Sequence, residues 1–170
     1  IGLGVPRHPI RLVGSENEIK LLQPATGSDF TTEMLDFSQK FLSAAGHFDG
    51  AILKFKSPSC GLANVKLYRS IDKSECSGKA AGLFGAELLR LRPALPSEDE
   101  GRLKNFLIRE QFLTRIFLGA ELRNIAENGK ISKLVEFHSR CKYLLMAYSQ
   151  TGLRKLGRLV AEGGNAPFRE

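Results

Sequence analysis

The sequence predicts an α/β fold: a mostly parallel sheet with flanking helices, a Rossmann-like layer, followed by an all-helical segment. Two observations lead there. Up to about residue 90, β-prone runs alternate with stretches of helical spacing, the pattern of parallel strands joined by crossover helices. Beyond Pro93 and Pro96 the apolar residues recur only at helical spacing. The expected division is an α/β domain over 1–105, a connecting helix over 106–125, and an all-helical domain starting at 126–170.

The elements follow in order. Residues 1–28 are rich in Gly and Pro and hold one β-prone piece, Ile10–Val13. Asp29 and Thr31 offer capping oxygens and Glu33 lies in the first turn. With Met34, Phe37, Phe41 and Leu42 at helical spacing, they predict an amphipathic helix over 30–45 that closes near Gly46. A strand is expected over 51–56 and a second over 65–69. The polar stretch from Asp72 to Gly78 reads as a loop carrying Cys76, an exposed incidental thiol. A helix over 79–89 follows, with Leu83, Phe84, Leu88 and Leu89 facing a core. Ser97, Glu98 and Glu100 read as the cap and first turn of a helix, and the apolar residues from Leu103 to about Ile125 fit a helix or two. Asn128-Gly129 breaks it, and further helices are expected over 131–148 and 153–160 before a Gly-rich tail. Cys141 falls on the apolar face of the first of these and reads as core, and His138 reads as a packed, hydrogen-bonded residue.

The chain has 170 residues, an apolar fraction of 42% and a formal charge of +7. That suits one domain or one and a part, with a real core and a polyanionic partner. Three irregularly spaced cysteines make neither a disulfide framework nor a C-x-x-C metal site, so a reduced, cytoplasmic setting is expected. No apolar run is long enough to span a membrane, and no membrane partner is expected. The opening Ile1-Gly-Leu-Gly-Val-Pro has no initiator Met and reads like the interior of a loop, so the chain is expected to be a fragment.

Ser57-Pro58-Ser59-Cys60-Gly61 carries the chemistry. The β-prone run before it ends in a turn, which places one sulfur at the strand end where α/β sheets bind ligands. Pro58 stiffens the approach, and Gly61 allows a close or left-handed backbone. Seryl hydroxyls and free amides there suit a thiolate or a metal–sulfur centre. A buried structural cysteine closing a strand fits the same pattern, and the motif alone leaves both open. At the other end of the chain, Lys130, Lys133, Arg140, Lys142, Arg154, Lys155 and Arg158 crowd the helical segment. They read either as a solvated face or as a stripe that tracks a phosphate backbone.

Three stretches, Gly2–Pro9, Ser57–Gly61 and Leu95–Leu103, together resemble the iron–sulfur thiouracil desulfidase domain. Leu134–Tyr148 and Leu156–Ala161 resemble the helical YbgA-type domain often fused behind it, with Cys141 and Tyr148 where that family often carries His. The resemblance implies a four-iron four-sulfur cluster on three thiolates with one iron open. Cys60 would be a ligand, and Ser57 and Ser59 would bond cluster sulfur or steer substrate. The family's other two ligands lie in segments that would precede Ile1, and the helical domain is expected to be cut short at its end. Only one ligand position is therefore expected in this chain, which alone is expected to be inactive. The implied activity is removal of sulfur from thiolated uracil, free or as 4-thiouridine in transfer RNA. The alternative is a non-catalytic RNA-binding helical module on an α/β scaffold, with Cys60 structural. A cysteine-based redox protein is a weaker third, since no resolving Cys stands at a motif spacing.

Overall fold

The computed structural model describes residues 4–15, 18–72 and 75–163. The chain forms two compact units, Ile1–Ile116 and Phe117–Glu170. The first holds the strands β1 (Arg11–Ser15), β2 (Glu18–Gln23) and β3 (Ser28–Asp29), then helix α1 (Thr31–Ala44) and β4 (Ala51–Leu53). After these come β5 (Val65–Tyr68), β6 (Cys76–Ala80), α2 (Leu83–Leu91), β7 (Ser97–Asp99) and a 3-10 turn at Arg102–Lys104. Helix α3 (Phe106–Asn128) runs from the first unit into the second, which continues with α4 (Ile131–Arg140), α5 (Lys142–Tyr148) and α6 (Gln150–Gly163).

The α/β class followed by helices is as the sequence predicts. The pairing is mixed. Parallel pairing joins β1 to β5 and β4 to β7, across connections long enough for a crossover. Antiparallel pairing adds β2, β3 and β6, which give a five-stranded sheet in the order β3-β2-β1-β5-β6 beside the two-stranded β4-β7. Strands separated by two residues, as β1 and β2 are, have no room to return parallel.

The Gly/Pro-rich opening thus holds more strand than its one β-prone piece suggested. Alternation explains it: Leu12 pairs with Leu21 in register, and both side chains are fully buried on one face of the sheet. They join Met34, Val65, Leu67 and Leu83 in the core. Phe84 of α2 meets Phe37 and Phe41 of α1 with ring centroids 6.3 and 5.8 Å apart, which locks the two helices together.

The start of α1 follows the predicted chemistry. The Thr31 amide donates to Asp29 Oδ1 at 2.9 Å, the Thr31 hydroxyl donates to the same oxygen, and the Leu21 amide donates to Thr31 Oγ1 at 2.8 Å. The N-cap residue itself is Phe30, which makes no side-chain cap bond, so the network holds the first amide of the helix from the preceding residue Asp29 and ties Thr31 to β2.

Four local expectations are corrected. Cys76 lies on β6 rather than in a loop, though it is exposed, because Cys76 pairs with Tyr68 at the sheet edge. Lys79 belongs to the same strand, so α2 starts later, at Leu83. Ser97–Asp99 form a strand beside β4 instead of a helix start, and the caps act later: Asp99 Oδ1 accepts the Arg102 amide at 2.8 Å and Asn105 Oδ1 the Ile108 amide at 3.2 Å. The helix expected over 131–148 breaks at Cys141, whose ψ of −1° turns the chain while its sulfur stays buried. His138 packs toward Gly157 of α6, yet its Nε2 is buried with no hydrogen-bond partner among the described residues. The Gly-rich tail lies outside the described residues. Among them no helix is long and apolar enough to cross a membrane.

Candidate active site

The parallel pair β4–β7 places the site. Ala51, Ile52 and Leu53 lie in register with Ser97, Glu98 and Asp99, so both strands end at one edge. In α/β layers that carboxyl edge is where ligands bind. The strand expected over 51–56 stops at Leu53, and Lys54 to Ser59 form the loop that carries Cys60.

Backbone bonds hold that loop from two sides. The amides of Gly82, Leu83 and Phe84, at the start of α2, donate to the carbonyls of Gly61, Pro58 and Ser59 at 2.7, 3.4 and 2.8 Å. A helix start has amides with no partner inside the helix, and here the cysteine turn supplies the acceptors. The approach is too close for side chains. A Cβ at Gly82 would stand 2.6 Å from the Ser57 carbonyl oxygen, and one at Gly85 2.4 Å from that of Gly61. Gly61 serves close approach and does not take a left-handed backbone. That role falls to Lys56 (φ 54°) and Asn64 (φ 59°), which bracket the turn. Two non-glycine residues in that region within one loop are held by their surroundings, a pattern that gathers at functional sites.

Inside the turn, Ser57 and Ser59 come together with their Oγ atoms 3.0 Å apart, and the Cys60 amide donates to Ser57 Oγ at 3.4 Å. All three residues are half-buried. Sequence reasoning missed two neighbours as site residues, Lys54 and Glu100, each the first residue after its strand. Lys54 Nζ lies 2.5 Å from Glu100 Oε1, and the Phe55 amide donates to Glu100 Oε2 at 2.6 Å. The Lys54 hydrogen bond holds the Glu100 carboxyl below its ordinary range, and the Glu100 hydrogen bond raises the Lys54 ammonium above its own. Only the register of β4 against β7 could have found them.

A family model described as 2-thiouracil desulfurase matches residues 1–100, a span that contains the whole of this edge up to Glu100. The chain belongs to the 2-thiouracil desulfurase family. No curated protein and no solved structure matches the chain. In this desulfurase-family chain the other two cysteines stand elsewhere, Cys76 on the β5–β6 edge and Cys141 buried in the helical unit.

The seven cations singled out from the sequence all lie exposed in the helical unit. Arg140 pairs with Glu121, and Lys133 Nζ lies 2.9 Å from Glu136. Lys130 and Lys133 line an open cleft of about 310 Å³ with Glu121. Arg154, Lys155 and Arg158 sit on α6, against which α4 and α5 pack.

Proposed function

We propose that this protein removes sulfur from a thiolated uracil, and does so on 4-thiouridine within transfer RNA. The observation that carries the reading is the position of Cys60: its turn stands at the carboxyl edge of two parallel strands, inside the stretch that matches the desulfurase family. The net reaction exchanges C=S for C=O. Water adds at the ring carbon, the carbon–sulfur bond breaks, sulfide leaves with the protons of the water, and no electrons are transferred.

A four-iron four-sulfur cluster with an open iron, when bound, supplies a Lewis acid for the thiocarbonyl sulfur. Cys60 suits one of its thiolates, with the Ser57 hydroxyl at its amide. Among the described residues no three metal-binding side chains stand together, so these residues meet such a cluster at one corner only. Ser57 and Ser59 present adjoining hydroxyls that would orient the ring and donate to its sulfur. Glu100, held ionised by Lys54, is a fixed charge rather than a proton donor.

In this reading the helical unit is the YbgA-type domain. Its exposed cations contact phosphates and bring one unpaired base to the Cys60 edge.

The test is sulfide release from 2-thiouracil and 4-thiouridine by the intact protein, purified without oxygen. Cys60→Ser is expected to abolish release, and Cys76→Ser to leave it within about twofold. Cys141→Ser should keep activity while lowering stability by about 1–2 kcal/mol, because a hydroxyl replaces a buried sulfur. Full release by Cys60→Ser would sink the assignment.

A further inference from the structure

Lys54 and Glu100 meet for a topological reason: they follow adjacent parallel strands and emerge at the edge that carries the Cys60 turn. Both remain open to solvent, with side-chain exposures of 72% and 39%. An exposed ion pair of this kind contributes little to stability. Its bonding capacity is also incomplete. The ammonium has three N–H donors, of which Glu100 takes one. The carboxylate has about four acceptor sites, of which Lys54, the Phe55 amide and the amide of Glu100 itself occupy three. The pair therefore shows solvent a cationic donor directly beside an anionic acceptor, at the strand edge from which the Cys60 turn leaves.

A uracil ring has the complementary edge. Its N3–H is a donor flanked by carbonyl or thiocarbonyl acceptors, and it persists in free base and nucleoside alike because the ribose occupies N1. We propose that Lys54 and Glu100 read this imide edge, Lys54 donating to the carbonyl and Glu100 accepting the N3–H, so that the ring is set against Cys60. The inference rests on the desulfurase reading of Cys60 and adds the residues that select the ring. A site that accepts a ring N–H rejects the analogue lacking it, since the carboxylate is then left facing a methyl group.

Equilibrium dialysis of the intact protein against uracil, the unreactive product, and N3-methyluracil tests this. Wild type is expected to bind uracil at least about tenfold tighter than its N3-methyl analogue. Lys54→Met and Glu100→Ala should each weaken uracil binding about tenfold, and Glu100→Ala should bring the two ligands within about twofold of each other. Lys54→Met keeps the Glu100 bond to the Phe55 amide, so it separates recognition from holding the loop, and its thermal melting should match wild type. Equal binding of the two ligands, no uracil binding, or unchanged binding by Lys54→Met overturns the proposal. Sulfide release from thiouracil on the same samples reports the underlying reading separately. Release with equal binding sinks only the edge-reading pair, and discrimination without release sinks only the desulfurase assignment.

Discussion

Asp29 shows how one side chain serves two levels of structure. Its carboxylate accepts the Thr31 amide and hydroxyl, and Thr31 in turn accepts the Leu21 amide of β2. Asp29→Ala is expected to lower stability by about 1 kcal/mol at neutral pH, as read by chemical denaturation. The Thr31 side-chain hydrogen bond depresses the Asp29 pKa, so this contribution is present above the unfolded value and fades as pH falls through the folded one. The gap between wild type and variant should hold from pH 7 to roughly 4 and close below that. This helix start was legible because Asp, Thr and Glu at that spacing announce one, although Phe30 and not Asp29 is the N-cap residue. The position of Cys60 was legible for a similar reason, a β-prone run ending in Ser-Pro-Ser-Cys-Gly. Lys54 and Glu100 were not, since their meeting depends on strands distant in the chain, with Leu53 in register with Asp99.

At the scale of the element, α2 and the cysteine turn behave as one piece. Gly85→Ala would force a Cβ to within 2.4 Å of the Gly61 carbonyl oxygen, and backbone offers no flexible end to move. It is expected to cost about 1–3 kcal/mol and to speed hydrogen exchange at the Cys60 and Gly61 amides. Gly119, in the middle of α3 with nothing within 4 Å of its added Cβ, is the contrast. Gly119→Ala is expected to raise stability by about 0.5–1 kcal/mol. Element type was harder to read where one residue suits two structures. Ser97, Glu98 and Asp99 resemble a helix start because they prepare one. They pair as a strand first, since Ala51 to Leu53 offer a free edge, and cap the 3-10 turn afterwards. The break at Cys141 left no such mark, because the apolar spacing continues through it.

Across the whole molecule the charge is uneven in kind as well as in place. Arg154, Lys155 and Arg158 are exposed on one helix, and no carboxylate among the described residues stands within ion-pair distance of them. If they bind phosphates, replacing all three by Ala should reduce the slope of log affinity for transfer RNA against log salt by about 2–3 units. Turnover of free thiouracil should stay unchanged. Survival of the slope would remove α6 from the RNA interface. A different consequence follows from the long-range closure of the Cys60 edge. Phe55 and its acceptor Glu100 are separated by 45 residues. At about 5–20 residues per second on a ribosome, Glu100 is added roughly 2–9 s after Phe55. The cysteine turn is therefore made well before its clamp. Until Glu100 is added the Phe55 amide lacks this acceptor, so the Cys60 edge closes only after both of its strands have been made.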